Sequence, residues 1–252
     1  MPHRNNIYDS FAESYDQDNH KEVASAFFQS VKPYIKASGK NSTVLDLGCG
    51  SGLLTMRVAS MGRTVIGIDS SERMLQLAQE QSKKFRDKVT LRQADLTALP
   101  KFQNCSLALM CADITNHFTS QKTLIKVFTN VQRTLDTGGL FIFDALNHFC
   151  FEHYWADKTY FLESKTGDLV MECSWNPSTK LGKAVMVAFV KQNRTLFTKR
   201  TTVLVERLYE DSEIRHSLRV AGFRRVEKKD WSPWTDQKKE PSLDRTLWFA
   251  YK

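Results

Sequence analysis

The 252-residue sequence has no apolar run approaching the roughly 18 residues that a membrane-spanning helix needs. Its opening, MPHRNNIYDS, holds no apolar stretch of the kind a secretory signal requires, so a cytoplasmic location with no membrane partner is the expectation. Cysteine is scarce: Cys49, Cys105, Cys111, Cys150 and Cys173 are odd in number, scattered, and form no C-x-x-C pair. That argues against a disulfide framework and against a zinc site, and no metal is expected. Cys150 and His153 have ligand-like spacing, but no second pair accompanies them. Long blocks of one charge are missing too. The 36 Lys and Arg against 28 Asp and Glu leave a formal +8, yet the excess is spread in short pairs such as Lys83-Lys84 and Arg224-Arg225, as on solvated faces.

What is present is an ordinary globular composition, 41% hydrophobic and 25% charged, on a chain long enough for one large domain with an insertion. The stretch that organises it is VLDLGCGSG, from Val44 to Gly52, an apolar strand that enters a glycine-dense turn and then a helix from near Leu53. Gly48, Gly50 and Gly52 bare the backbone and permit positive φ. The turn is expected to leave amide N–H groups exposed at a helix N-terminus, a surface that favours hydrogen-bond acceptors. The next strand, TVIGID, ends in Asp69, about 20 positions after the first glycine, where a dinucleotide-type fold places the carboxylate that binds ribose hydroxyls. A dehydrogenase turn reads G-x-G-x-x-G; here the spacing is G-x-G-x-G with Asp46 before it.

This pattern resembles motif I of the class I S-adenosylmethionine-dependent methyltransferases, [D/E]-x-G-x-G-x-G, matched by Asp46, Gly48, Gly50 and Gly52. The resemblance implies S-adenosylmethionine as cofactor, with Asp46 in its binding motif, Gly48, Cys49 and Gly50 against the methionine moiety, Asp69 on the ribose, and Ser70 and Met74 around the adenosine. After a third strand, Val89 to Gln93, the run Ala94-Asp95-Leu96 resembles the family's adenine motif, in which the carboxylate of Asp95 accepts from the exocyclic amine and the Leu96 N–H donates to a ring nitrogen. The alternative is an Asp95 that caps the following turn. A fourth strand, Leu107 to Cys111, ends at the topological switch point. There Cys111 or Ala112 would offer backbone groups to the methionine end, and Asp113, Asn116 and His117 would face the acceptor. His117 is either a proton acceptor or a half-exposed loop histidine.

Ahead of motif I, IYDSFAESYDQ carries Tyr8, Phe11, Ala12 and Tyr15 at helical spacings. It is either a docking helix over the core or, as the resemblance implies, a segment that closes over the cofactor with Tyr8 and Tyr15, the latter reaching the sulfonium or the acceptor. Tyr15 and His117 are the candidate catalytic residues. At the end of a fifth strand, LFIFDAL, Asp144 and His148 line the acceptor pocket or make structural hydrogen bonds.

From about Phe151 to Tyr209 the crossovers cease, and DLVMECSW, AVMVAFVK and TLFTKRTTVLVERLY read as three antiparallel strands. Such an insertion resembles glycine N-methyltransferase and the amino-sugar N-methyltransferases, where it roofs the acceptor site; an oligomer interface is the other reading. A last helix from Glu210 and two strands close the chain. The expectation is an α/β fold, a Rossmann-like seven-stranded mixed sheet, six strands parallel and one antiparallel, with helices on both faces and an inserted antiparallel sheet. Its parts are a helical cap over 1–40, a cofactor-binding core over 41–150, the insertion over 151–209 and the completion of the core over 210–252.

The function so implied is in-line methyl transfer to a small-molecule amine or hydroxyl by a monomer or homodimer. Ala112 to Thr115 reads A-D-I-T rather than the N-P-P-[YF/W] tetrad that marks nucleobase or amide acceptors, which disfavours a nucleic-acid partner. The rivals are a non-catalytic S-adenosylmethionine-binding scaffold, a tRNA or other nucleic-acid methyltransferase, and a nicotinamide oxidoreductase.

Overall fold

The computed structural model describes residues 20–164, 167–193, 195–234 and 243–252, so the expectations for Tyr8 and Tyr15 lie outside the described residues. Helix α1 (His20–Ala37) leads into an alternation of strands and helices: β1 (Thr43–Leu47), α2 (Leu53–Ser60), β2 (Thr64–Asp69), α3 (Glu72–Gln81), β3 (Val89–Gln93) and β4 (Cys105–Met110). A single helical turn, α4 (Ile114–His117), and helix α5 (Gln121–Thr134) connect β4 to β5 (Leu140–Leu146). After the insertion come α6 (Asp211–Val220), β10 (Arg225–Trp231) and β11 (Arg245–Tyr251). The seven-stranded sheet runs β10-β11-β5-β4-β1-β2-β3. Strands β1 to β5 are parallel, while β11 is antiparallel to both β5 and β10, so six strands point one way and one against them.

The order has a physical reading in the sequence. Central strands are covered on both faces, so β1 and β5 are nearly continuous apolar runs. Side chains alternate across β5: Phe141 and Phe143 enter one core layer with Phe128 and Val131 of α5 and Leu218 of α6. Ile142 enters the other layer, with Phe27, Val31 and Ile35 of α1 and Leu54 and Val58 of α2. The chain winds outward from β1 through β2 to β3, then returns to place β4 on the other side of β1. That reversal opens a crevice at the carboxyl ends of β1 and β4, where open α/β sheets bind ligands.

The insertion contains four strands rather than the expected three: β6 (Lys158–Ser164), β7 (Gly167–Asn176), β8 (Leu181–Lys191) and β9 (Phe197–Arg207), in that order as an antiparallel meander. The extra strand, β6, is an edge held by its backbone pairing with β7, and its Lys158, Thr159, Phe161, Leu162 and Glu163 are all exposed. Tyr160 packs against the cluster of Cys173, Ala184 and Met186, but one inward side chain makes no apolar alternation to read. At the other end, Leu208 and Tyr209, expected to continue the last strand, leave it and are buried against the core.

Candidate functional site

The glycine loop differs from expectation in one respect. Its amides are engaged within the protein: Gly48 N and Cys49 N donate to the Ile68 carbonyl at 2.7 and 2.9 Å, Gly50 N to Asp69 Oδ2 at 2.9 Å, and Gly52 N to the Cys49 carbonyl at 2.9 Å. The turn folds back on β2, which satisfies its own donors, so what it offers a ligand is bare backbone surface rather than a row of free amides. Gly48 has φ +70°, and a Cβ there would come within 2.2 Å of Ile114 Cδ1. Asp46 sits below the loop, 1% exposed, and accepts from Thr55 Oγ1 at 2.5 Å. Burial pushes its carboxyl up to about 7, against the lowering effect of the Thr55 bond.

Above the loop lies a cavity of about 330 Å³. Gly48 and Gly50 form its floor, and Asp69, Ser70 and Asp95 supply polar groups from the ends of β2 and β3. Asp69 also accepts from Ser71 N at 2.8 Å, so one carboxylate braces both the glycine loop and the start of α3, where Ser71 accepts from Met74 N at 3.0 Å. Asp95 caps the short turn that follows it, accepting from Thr97 N at 2.7 Å, and also lines the cavity. Apolar walls come from Met74, Leu96, Ile114 and Phe118, together with Cys111 and Ala112 after β4. Leu204 and Val205 of β9 reach the same cavity, so the insertion forms part of its wall.

Just beyond that wall, acidic and basic groups converge. Ala112 and Asp113 take positive φ in succession, 67° and 51°, which turns the chain sharply as it leaves β4. Arg245, from the start of β11, donates from Nη1 to Asp113 Oδ1 and to Asp144 Oδ2, both at 2.6 Å. Glu206 on β9 is 1% exposed and holds Oε1 3.6 Å from His117 Nε2. Burial raises the Glu206 carboxyl well above its usual range, and Asp113 raises it further. Burial raises Asp144 to about 6, whereas for Asp113 the pull of Arg245, aided by His117, outweighs burial and lowers it. Burial also lowers His117, which keeps its imidazole neutral near pH 7.

Of the residues singled out in the sequence, Gly48, Gly50, Asp69, Ser70, Met74, Asp95, Leu96, Cys111 and His117 line one cavity. Asp46, Cys49, Asp113, Asn116 and His148 do not. Asn116 is fully buried and acts as a clasp: its Oδ1 accepts from Leu146 N at 2.9 Å and its Nδ2 donates to the Arg207 carbonyl at 2.9 Å. His148 stands on the surface with Nε2 3.0 Å from Glu210. Glu206 and Arg245 were not anticipated. The one signal for Glu206 is its phase, since it occupies the same face of β9 as Leu204, where an apolar side chain is the rule.

A methyltransferase-domain family matches residues 44–139. Over 247 residues the chain is 24% identical to a Geobacillus sp. (strain WCH70) protein provisionally described as a methyltransferase, a match that covers 97% of this chain and 99% of that one. Its fold is similar to that of an S-adenosylmethionine-dependent methyltransferase from Clostridium acetobutylicum ATCC 824, with a TM-score of 0.77, 22% identity, and 98% and 99% of the two chains covered. It is also similar to an amino pentose methyltransferase from Micromonospora echinaspora solved with S-adenosylmethionine bound, with a TM-score of 0.67, 15% identity, and 98% and 96% covered. The matched residues contain the glycine loop and both cavity carboxylates, so residues 44–139 form a methyltransferase domain, and the fold around it is that of S-adenosylmethionine-dependent methyltransferases.

Proposed function

We propose that this methyltransferase acts on a small-molecule amine or hydroxyl. The observation that carries the reading is the continuity of one cavity from Asp69 and Asp95, at the nucleoside end, to His117 and the β9 residues Leu204 and Val205 at the other. The residues fit the cofactor. Gly48 and Gly50 put bare backbone against the cavity, and each carboxylate that already accepts from a backbone amide keeps further lone pairs for ribose or adenine donors. When bound, S-adenosylmethionine supplies a methyl group activated by the positive sulfur. On this reading Asp69 orients the ribose, Asp95 and the Leu96 amide hold the adenine, and Met74 packs against the nucleoside. The protein holds donor and acceptor in line and excludes water, and the neutral imidazole of His117 can take a proton from an acceptor.

An amino pentose methyltransferase among the structural relatives is compatible with an amine, and the wall supplied by β9 suits an acceptor of modest size. The test joins calorimetry with S-adenosylmethionine, S-adenosylhomocysteine and NAD to a screen of fractionated cell extract with radiolabelled methyl donor. Label should enter a low-molecular-weight compound. Label confined to RNA or protein fractions would overturn the small-molecule reading.

A further inference from the structure

Asp113, His117 and Glu206 each present one ligand-type atom, and the three atoms lie within 4.8 Å of one another. Metal–ligand bonds of about 2.1 Å require ligand atoms roughly 3–4 Å apart, a closure that small side-chain rotations supply. Two observations point to a cation there. Glu206 is 1% exposed, and its Oε2 is buried with no hydrogen-bond donor, although its carboxyl lies against that of Asp113. Two carboxylates face to face, away from water, repel unless a proton or a cation stands between them. The charge balance agrees: with all three ionised, Asp113, Asp144 and Glu206 set three negative charges against the one guanidinium of Arg245, a surplus of two that one divalent cation would match. His20 also lies in the field of Asp113, so its imidazolium and a proton on Glu206 are the competing ways to neutralise the cluster.

We propose that Asp113, His117 and Glu206 bind a divalent cation. Two carboxylate oxygens and one imidazole suit Mn²⁺ or Zn²⁺, and Mg²⁺ less well because of the nitrogen ligand. Three protein ligands leave coordination positions open, as catalytic rather than structural sites do. The ligands stand at the edge of the substrate cavity, since His117 lines it and so do the immediate neighbours Ala112, Ile114 and Val205. The open positions therefore take an oxygen or nitrogen of the acceptor, and the cation fixes its orientation. That last step rests on the proposed function; the binding of the cation does not.

The test uses the full chain stripped with chelator and titrated with Mn²⁺, read by the loss of the free-ion electron paramagnetic resonance signal, and with Zn²⁺ by calorimetry. One saturable site per chain is expected, tighter than about 100 µM, with affinity reduced at least about tenfold in Glu206→Gln and unchanged in the surface variant His148→Ala. Pulsed resonance on the Mn²⁺ form should show nitrogen coupling that disappears in His117→Ala, a readout that stands even if Glu206→Gln fails to fold. Absence of saturable binding up to about 1 mM, equal affinity in Glu206→Gln, or no nitrogen coupling overturns the proposal. Cofactor titration of the same stripped sample reports separately on the donor site, so a failed cation site and a failed methyltransferase assignment give different results.

Discussion

Asp69 holds the glycine loop through Gly50 N and the start of α3 through Ser71 N, with both oxygens already in use before any ligand arrives. Its removal should therefore act twice. Asp69→Ala is expected to weaken S-adenosylhomocysteine binding by roughly 1.5–3 kcal/mol in calorimetry and to lower stability as well, because two backbone donors lose their acceptor. Asp46 differs in kind, since it is fully interior and its carboxyl is raised to about 7. Between the unfolded value near 3.9 and about 7 the folded protein keeps a proton that the unfolded chain has lost. Stability attributable to Asp46 must then fall as pH rises through that window, by at most about 1.4 kcal/mol per pH unit. Asp46→Asn, which cannot ionise, should flatten that part of a denaturation profile measured from pH 4 to pH 7, and a slope identical to the parent would remove Asp46 as its source.

Strand β9 is joined to the core sheet partly by one side chain that lies on neither. Asn116, in the single turn after β4, bridges Leu146 at the end of β5 and Arg207 at the end of β9. Asn116→Ala leaves a buried N–H and a buried carbonyl without partners, and urea denaturation should register a loss of roughly 2–4 kcal/mol; a loss below about 1 kcal/mol would mean that water replaces the amide. Elements and residues of this kind also mark where sequence reading succeeds and where it stops. The placement of the glycine loop, Asp69 and Asp95 was legible because each is a short-range event, a residue at or just past the carboxyl end of a strand. Strand β6 was not legible, because Tyr160 is the one side chain it is seen to pack inward among those described. The fate of the loop amides was not legible either, since Gly48 and Cys49 are satisfied by a carbonyl on a neighbouring strand, a matter of packing rather than pattern. The cluster around Arg245 was invisible for a further reason: Asp113 and Arg245 stand 132 positions apart, and only the antiparallel return of β11 brings them together.

The molecule is one sheet with its ligand crevice at the switch point and a second sheet leaning over it, so an occupied crevice should stabilise both parts. At a free concentration about 100 times the dissociation constant, S-adenosylhomocysteine contributes about 2.7 kcal/mol. For a chain of this size that corresponds to a rise in melting temperature of roughly 5–10 °C by calorimetric scan. A rise confined to one of two separated transitions would mean that the inserted sheet melts on its own.

The antiparallel placement of β11 has a consequence for how the protein is made. Strand β5 lies between β4 and β11, and Asp144 within it waits for Arg245, which is 101 positions further along. At a synthesis rate of about 5–20 residues per second, roughly 5–20 s pass between the two leaving the ribosome. Throughout that interval the nascent sheet carries an open edge at β5 and an acid without its guanidinium, with the whole of the four-stranded insertion emerging meanwhile. Newborn chains should therefore be most vulnerable to aggregation in that interval, and a folding helper would be of greatest use there.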